Sequence, residues 1–128
     1  ARGTSTLIAA AQRGYVDIAQ MALEFGAFVN QADVLQNTAL HYATESTHYD
    51  VVSLLLDNGA NPNQTNGQGE TALIWSMRVG DIDIIQMLID AGADTGSTDF
   101  TGRSIFDHAR NSRNPRLIED LRYMGIEE

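Results

Sequence analysis

The sequence predicts an all-α solenoid in which antiparallel helix pairs are joined by projecting β-hairpin loops. Three observations predict it. Shifted by 33 residues, the chain lands on itself: Leu7, Leu40 and Leu73 fall in register, followed by Phe106, as do Gly26, Gly59, Gly92 and Gly125, and Asp17, Asp50 and Asp83. A fixed period of this length marks stacked helical repeats. Within each period, two stretches with helical apolar spacing flank a short break. Between periods lie clusters of Asp, Asn, Gly and Thr, the residues that build tight turns. The 128 residues form one domain of four units, approximately 1–32, 33–65, 66–98 and 99–128.

The second unit is the fullest. Its segment Thr38-Ala39-Leu40-His41-Tyr42-Ala43 resembles the T-P-L-H-x-A core of ankyrin repeats with one substitution, and Gly59-Ala60-Asn61 is similar to that family's G-A-D entry into a hairpin. Four such matches in phase cover nearly the whole chain, so the fold is expected to be an ankyrin-repeat solenoid.

The elements follow in order. In the first unit, Gly3 sits where the family places its turn glycine, so the chain is expected to open inside a hairpin. Ser5–Ala11 reads as a helix that Gly14 breaks, and Tyr15–Phe25 as a second, ended by Gly26. The opening helix of this unit is almost wholly apolar and no core position in it turns polar, and the expectation is that another repeat or a capping segment precedes it. The second unit has helices near Thr38–Ser46 and Tyr49–Asn58. Thr47 stands where the interhelical glycine is expected, so its backbone is strained or its turn different. The third has helices near Thr71–Val79 and Ile82–Ala91, with Asp81 as cap and Asp83 at the positive end of the helix. In the fourth, Ser104-Ile105-Phe106-Asp107 reads as a capping box and Asn114-Pro115 as a helix start. Asp120 and Arg122 replace Met21, Leu54 and Met87, and Leu23, Leu56 and Ile89, as the polar end of a stack requires.

Composition excludes several functions. The apolar fraction is 43%, without the ~20-residue apolar run of a membrane span. No basic-then-apolar leader opens residues 1–15. The absence of cysteine excludes disulfides and thiolate metal sites and fits an intracellular protein. The net charge of −9 repels phosphate backbones and disfavours nucleic acid. Residues 97–128 nevertheless carry five of the eight arginines, Arg103, Arg110, Arg113, Arg116 and Arg122. The lack of lysine has two readings, avoidance of lysine modification or host composition.

No catalytic constellation emerges. The resemblance gives His41 the role of bracing backbone between repeats. Asp107 and His108 are adjacent on a helix, so their side chains diverge. His48 falls at a helix start, and no G-x-S-x-G elbow accompanies the serines. Asn66-Gly67-Gln68-Gly69-Glu70 lacks the lysine of a phosphate loop. Asn63-Gln64-Thr65 matches a glycosylation sequon without a leader to support it. No metal, no cofactor and no enzymatic activity are therefore expected.

The resemblance implies a non-catalytic scaffold that binds a protein partner on a concave face of hairpin tips and first helices. Mapped by register, that face offers Val34, Leu35, Asn37, Gln68, Glu70, Phe100, Thr101 and Arg103 at the tips, and Tyr42, Glu45, Trp75, Arg78, His108 and Asn111 on the helices. Tyr42, Trp75 and His108 make a stripe of rings, either across the groove or packed against neighbouring helices. Leu35 and Phe100 have no core to enter and should be exposed. Acids such as Glu45 and Glu70 would steer a partner bearing a basic patch. A monomer is expected. The alternatives are a substrate-recruiting domain of a larger enzyme and a stand-alone inhibitor of an enzyme such as a kinase.

Overall fold

The computed structural model describes residues 3–128. Among them are eight helices: α1 (Thr4–Arg13), α2 (Val16–Glu24), α3 (Ala39–Glu45), α4 (Tyr49–Asp57), α5 (Ala72–Val79), α6 (Ile82–Asp90), α7 (Ile105–Arg110) and α8 (Leu117–Tyr123). The odd-numbered helices pack in sequence as one layer and the even-numbered ones as another, each pair stacked on the next. Among the described residues, no helix is long and apolar enough to cross a membrane.

The core follows the period. Leu7, Leu40 and Leu73 are fully buried, as are the small residues Ala10, Ala43, Ser76 and Ala109, which share one register position on the first helices. Small side chains there let adjacent helices approach closely. Val51 and Ile84 are 0% and 1% exposed, each covered by the preceding repeat, whereas Ile18 at the same register is 43% exposed. Tyr15, Met21, Phe25 and Phe28 are exposed with it. In the fourth unit, Asp120 is half-buried and takes a bond from Asn114, and Arg122 is exposed.

Caps are written locally. Thr38 and Thr71 accept the backbone N–H groups of His41 and Ile74, and Ser104 and Asp107 form the expected capping box. The helix expected at Asn114-Pro115 begins at Leu117 instead. Asn114 uses both ends of its carboxamide: Oδ1 accepts from Arg116 N at 3.0 Å, and Nδ2 donates to the carbonyl of Gly80 at 3.0 Å. It caps the turn that leads into α8 and at the same time clasps the preceding repeat.

The interhelical turns show a paired exchange. Gly14, Thr47 and Gly80 all have left-handed φ, at 77°, 56° and 81°. His48 lies against Gly14, where a Cβ would stand 2.5 Å from its Nδ1, and Asn114 lies against Gly80. The residue in the same register after Thr47 is Asp81. It has no donor to send back, and instead caps α6 through Asp83 N and Ile84 N and accepts the Tyr49 hydroxyl. That contact pushes the Tyr49 phenol up to about 12. Thr47 thus occurs where the crossing side chain turns away.

Candidate functional site

The projecting loops are three copies of one device. Asp33, Asn66 and Asp99 each donate a backbone N–H to the carbonyl four residues on, at 2.9, 3.0 and 3.0 Å. Each also turns its side-chain Oδ1 onto the loop. Asp33 accepts from Leu35 N and Asn37 N, Asn66 from Gln68 N and Glu70 N, and Asp99 from Thr101 N and Arg103 N. Short acceptors of this kind bind their own backbone and fix a turn. The hairpins close without a longer strand ladder; the sole bridge among the described residues joins Thr98 to Ser104.

Successive tips are bonded to one another. Gly67 N donates to Leu35 O at 3.1 Å and Phe100 N to Gln68 O at 3.0 Å. The turn position is left-handed throughout, with Gln36 at φ 67° where Gly69 and Gly102 stand in later repeats. Side chains alternate across the joint. Gln36 meets the bare Gly67, and the bare Gly69 is covered by the Phe100 ring. Phe100 is therefore 76% exposed yet fixed in place by a backbone bond and a flat glycine floor.

Val34, Leu35, Gln68, Phe100, Thr101 and Arg103 are exposed at the tips, as are Glu45, Arg78 and Asn111 on the helices. Leu35 is 64% exposed and Val34 95%. The ring stripe turns inward. Tyr42 is half-buried, and Trp75 and His108 are 7% and 8% exposed. Asn37 and Glu70, expected at the surface, are buried as well. The physical reason is one shared arrangement: each ring bonds a carboxylate of its own hairpin. Tyr42 donates its hydroxyl to Asp33, Trp75 its Nε1–H to Glu70 Oε1 at 2.9 Å, and His108 Nε2 lies 2.9 Å from Asp99 Oδ2. Asn66 then donates to Asn37 Oδ1 and to Glu70 Oε1, and Arg78 bridges Glu70 Oε2 at 3.2 Å while lying 5.3 Å from the Trp75 ring centre.

These contacts set the charges. Burial pushes the Glu70 carboxyl up, but the Trp75 and Asn66 donors and the Arg78 charge outweigh it and hold it below its ordinary value. Asp99 lies well below the carboxylate range, chiefly through the Thr101 hydroxyl, with Arg103 N–H and His108 adding to it against burial. Burial raises the Tyr42 phenol, and the bond to Asp33 adds to that. His41 Nε2 donates to Glu70 O at 2.8 Å and its Nδ1 accepts from Thr38 N at 3.1 Å, the expected brace between repeats. Burial depresses its pKa.

Sequence reasoning missed the anchors Asp33, Asn66 and Asp99. The available signal was a short Asx residue at one register position before each tip. It also missed that Glu70, Asp99 and His108 converge, their ligand atoms within 4.8 Å of one another. Each of those atoms already meets a protein group, and the Arg78 guanidinium sits on Glu70. Asp107 and His108 diverge as expected, Asp107 to Ser104 and His108 to Asp99.

Two clefts lie between successive hairpins. The smaller, about 380 Å³, runs between Leu35, Gln68 and Trp75. The larger, about 1140 Å³, is floored by Glu70, Asp99 and His108 and rimmed by Phe100, Arg103 and Arg78. A family model described as ankyrin repeats in three copies matches residues 1–66, and another, described as ankyrin repeats in many copies, matches residues 44–89. No curated protein matches the chain.

Proposed function

The chain belongs to the ankyrin-repeat family, and from that premise we propose that it is a non-catalytic module whose protein partner lies in the groove between the hairpin tips and the first helices. Ankyrin repeats are in general protein–protein interaction modules. The observation that carries the placement is the contrast at the tips: Leu35 and Phe100 are exposed on loops held by backbone bonds. Apolar side chains on loops already ordered before binding lose less entropy when covered, which is how interface anchors act.

The buried rings change the division of labour. Tyr42, Trp75 and His108 shape the floor, and Leu35, Phe100 and Arg103 make the contact. Glu45 is exposed, while Glu70 is neutralised by Arg78, so steering falls to the net charge of −9 as a whole. Positively charged partners are favoured at long range and nucleic acid is not. The chain acts as a monomer, inside the cell.

The test is affinity capture with the chain, read by mass spectrometry, followed by calorimetry. Leu35→Ala and Phe100→Ala should each weaken the captured partner by ~1–3 kcal/mol. Unchanged affinity in both, with the fold intact by circular dichroism, removes the partner from this groove.

A further inference from the structure

The larger cleft carries both signs of charge, lined by Glu70, Asp99 and Asp107 and by Arg78, Arg103 and Arg110. Two of its acids lie beneath: Glu70 and Asp99 are buried and their oxygens are already bonded, while the third, Asp107, is paired with Arg110. Its guanidinium groups lie above. Arg78 is held over Trp75 and tied to Glu70, with its side chain 44% exposed. Arg103 is anchored through its backbone N–H to Asp99, and its guanidinium meets no acceptor among the described residues. Phe100, fixed over Gly69, stands at the same mouth. In a chain of net charge −9, the cleft's three acids and three arginines balance, and Arg103 is the arginine among them that meets no acid among the described residues.

We infer that this cleft takes a carboxylate side chain, Asp or Glu, of the partner polypeptide, with a neighbouring apolar side chain laid on Phe100. The inference rests on the groove reading above and specifies what fills its fourth-repeat end. An arginine fork matches a carboxylate with two parallel bonds. Arg103 supplies the free fork, and Arg78 a second guanidinium already oriented by Glu70. The carboxylate is short-range chemistry inside a long-range negative field. The binding segment therefore carries its acid between basic or neutral neighbours rather than in an acidic run.

The probe is a random-peptide display library selected on the full 128-residue chain. Enriched peptides should share an Asp or Glu next to an apolar residue. Arg103→Gln should weaken them about tenfold, and Arg103→Glu more. Arg116→Gln, outside the lining of the cleft, should leave them unchanged. Because the Arg103 guanidinium has no partner among the described residues, its variants should melt like the parent chain. Enriched peptides without a carboxylate, no enrichment at all, or equal binding to Arg103→Gln overturns the inference. Loss with Leu35→Ala but not with Arg103→Gln leaves the groove reading standing and sinks this one. Indifference to both sinks the two together.

Discussion

Glu70 receives the indole N–H of Trp75 at 2.9 Å, and both side chains are buried. The same carboxylate also takes Asn66 and Arg78, so one side chain serves three donors from two helical turns and a hairpin. Glu70→Ala leaves the indole N–H without an acceptor and should lower the unfolding free energy by roughly 2 kcal/mol. Glu70→Gln keeps an acceptor for Trp75 and should cost less. Urea unfolding followed by Trp75 fluorescence orders the two. Because the folded carboxyl lies below its ordinary 4.5, its contribution is present above that pH. It disappears as the pH falls through the folded value. Glu70→Gln should therefore flatten the acid limb of the stability curve.

His41 sets an earlier acid limit. Its Nε2–H donates to Glu70 O while Nδ1 accepts from Thr38 N, so a second ring proton would face an N–H group. The folded pKa is lower than the ordinary 6.5. The unfolded chain therefore binds the proton first, and stability falls as the pH drops below 6.5 toward the folded value. His41→Gln should cost about 1–2 kcal/mol at pH 7.5 and lose this dependence between pH 7 and 5. Thermal melts of both proteins across that range decide it. Parallel curves exclude His41 as the titrating group.

Thr47 pays the steric cost of φ 56°, and Asp81 has left the space beside it. Thr47→Gly relieves the Cβ at a cost in unfolded-state entropy, for a net gain of ~0.5–1 kcal/mol. Gly14→Ala is the converse: it meets both a φ of 77° and the His48 ring and should destabilise by roughly 2 kcal/mol. Differential melting of the pair tests the exchange. A less stable Thr47→Gly would overturn it.

The convergence of Glu70, Asp99 and His108 should not take up metal. A cation there would have to displace His108 from Asp99 and approach the Arg78 guanidinium. Native mass spectrometry after incubation with zinc should show the bare chain. Stoichiometric zinc that disappears in Asp99→Asn would reverse this reading.

The fold was legible because the period is written in residues with few structural alternatives. Leucines at Leu7, Leu40 and Leu73 set the core, and small residues at Ala10, Ala43 and Ser76 set the spacing of helices. The left-handed turn at Thr47 was legible from its neighbours Gly14 and Gly80 alone. The site was legible only in part. Exposure of Leu35 and Phe100 follows from their place at a tip, whereas burial of Trp75, Glu70 and His108 depends on which polar group each ring finds. Trp75 reaches Glu70 because Asn66 stands at the hairpin position that Asp33 and Asp99 occupy elsewhere. Such a choice is made between side chains, and a register carries no record of it. Asn114 shows the same limit, since its clasp on Gly80 is visible only once two repeats are stacked.

The opposite edge of the stack is sewn by asparagines. Asn30 donates to Gly59 O and accepts from Asn61 N, and Asn63 donates to Gly92 O at 3.0 Å and accepts from Asp94 N at 2.7 Å. Asn63 is also the acceptor residue of the sequence Asn63-Gln64-Thr65. A sugar joined to that nitrogen would replace one of its two hydrogens and compete with the bond to Gly92 O. Glycosylation at Asn63 would therefore work against the seam between the second and third repeats.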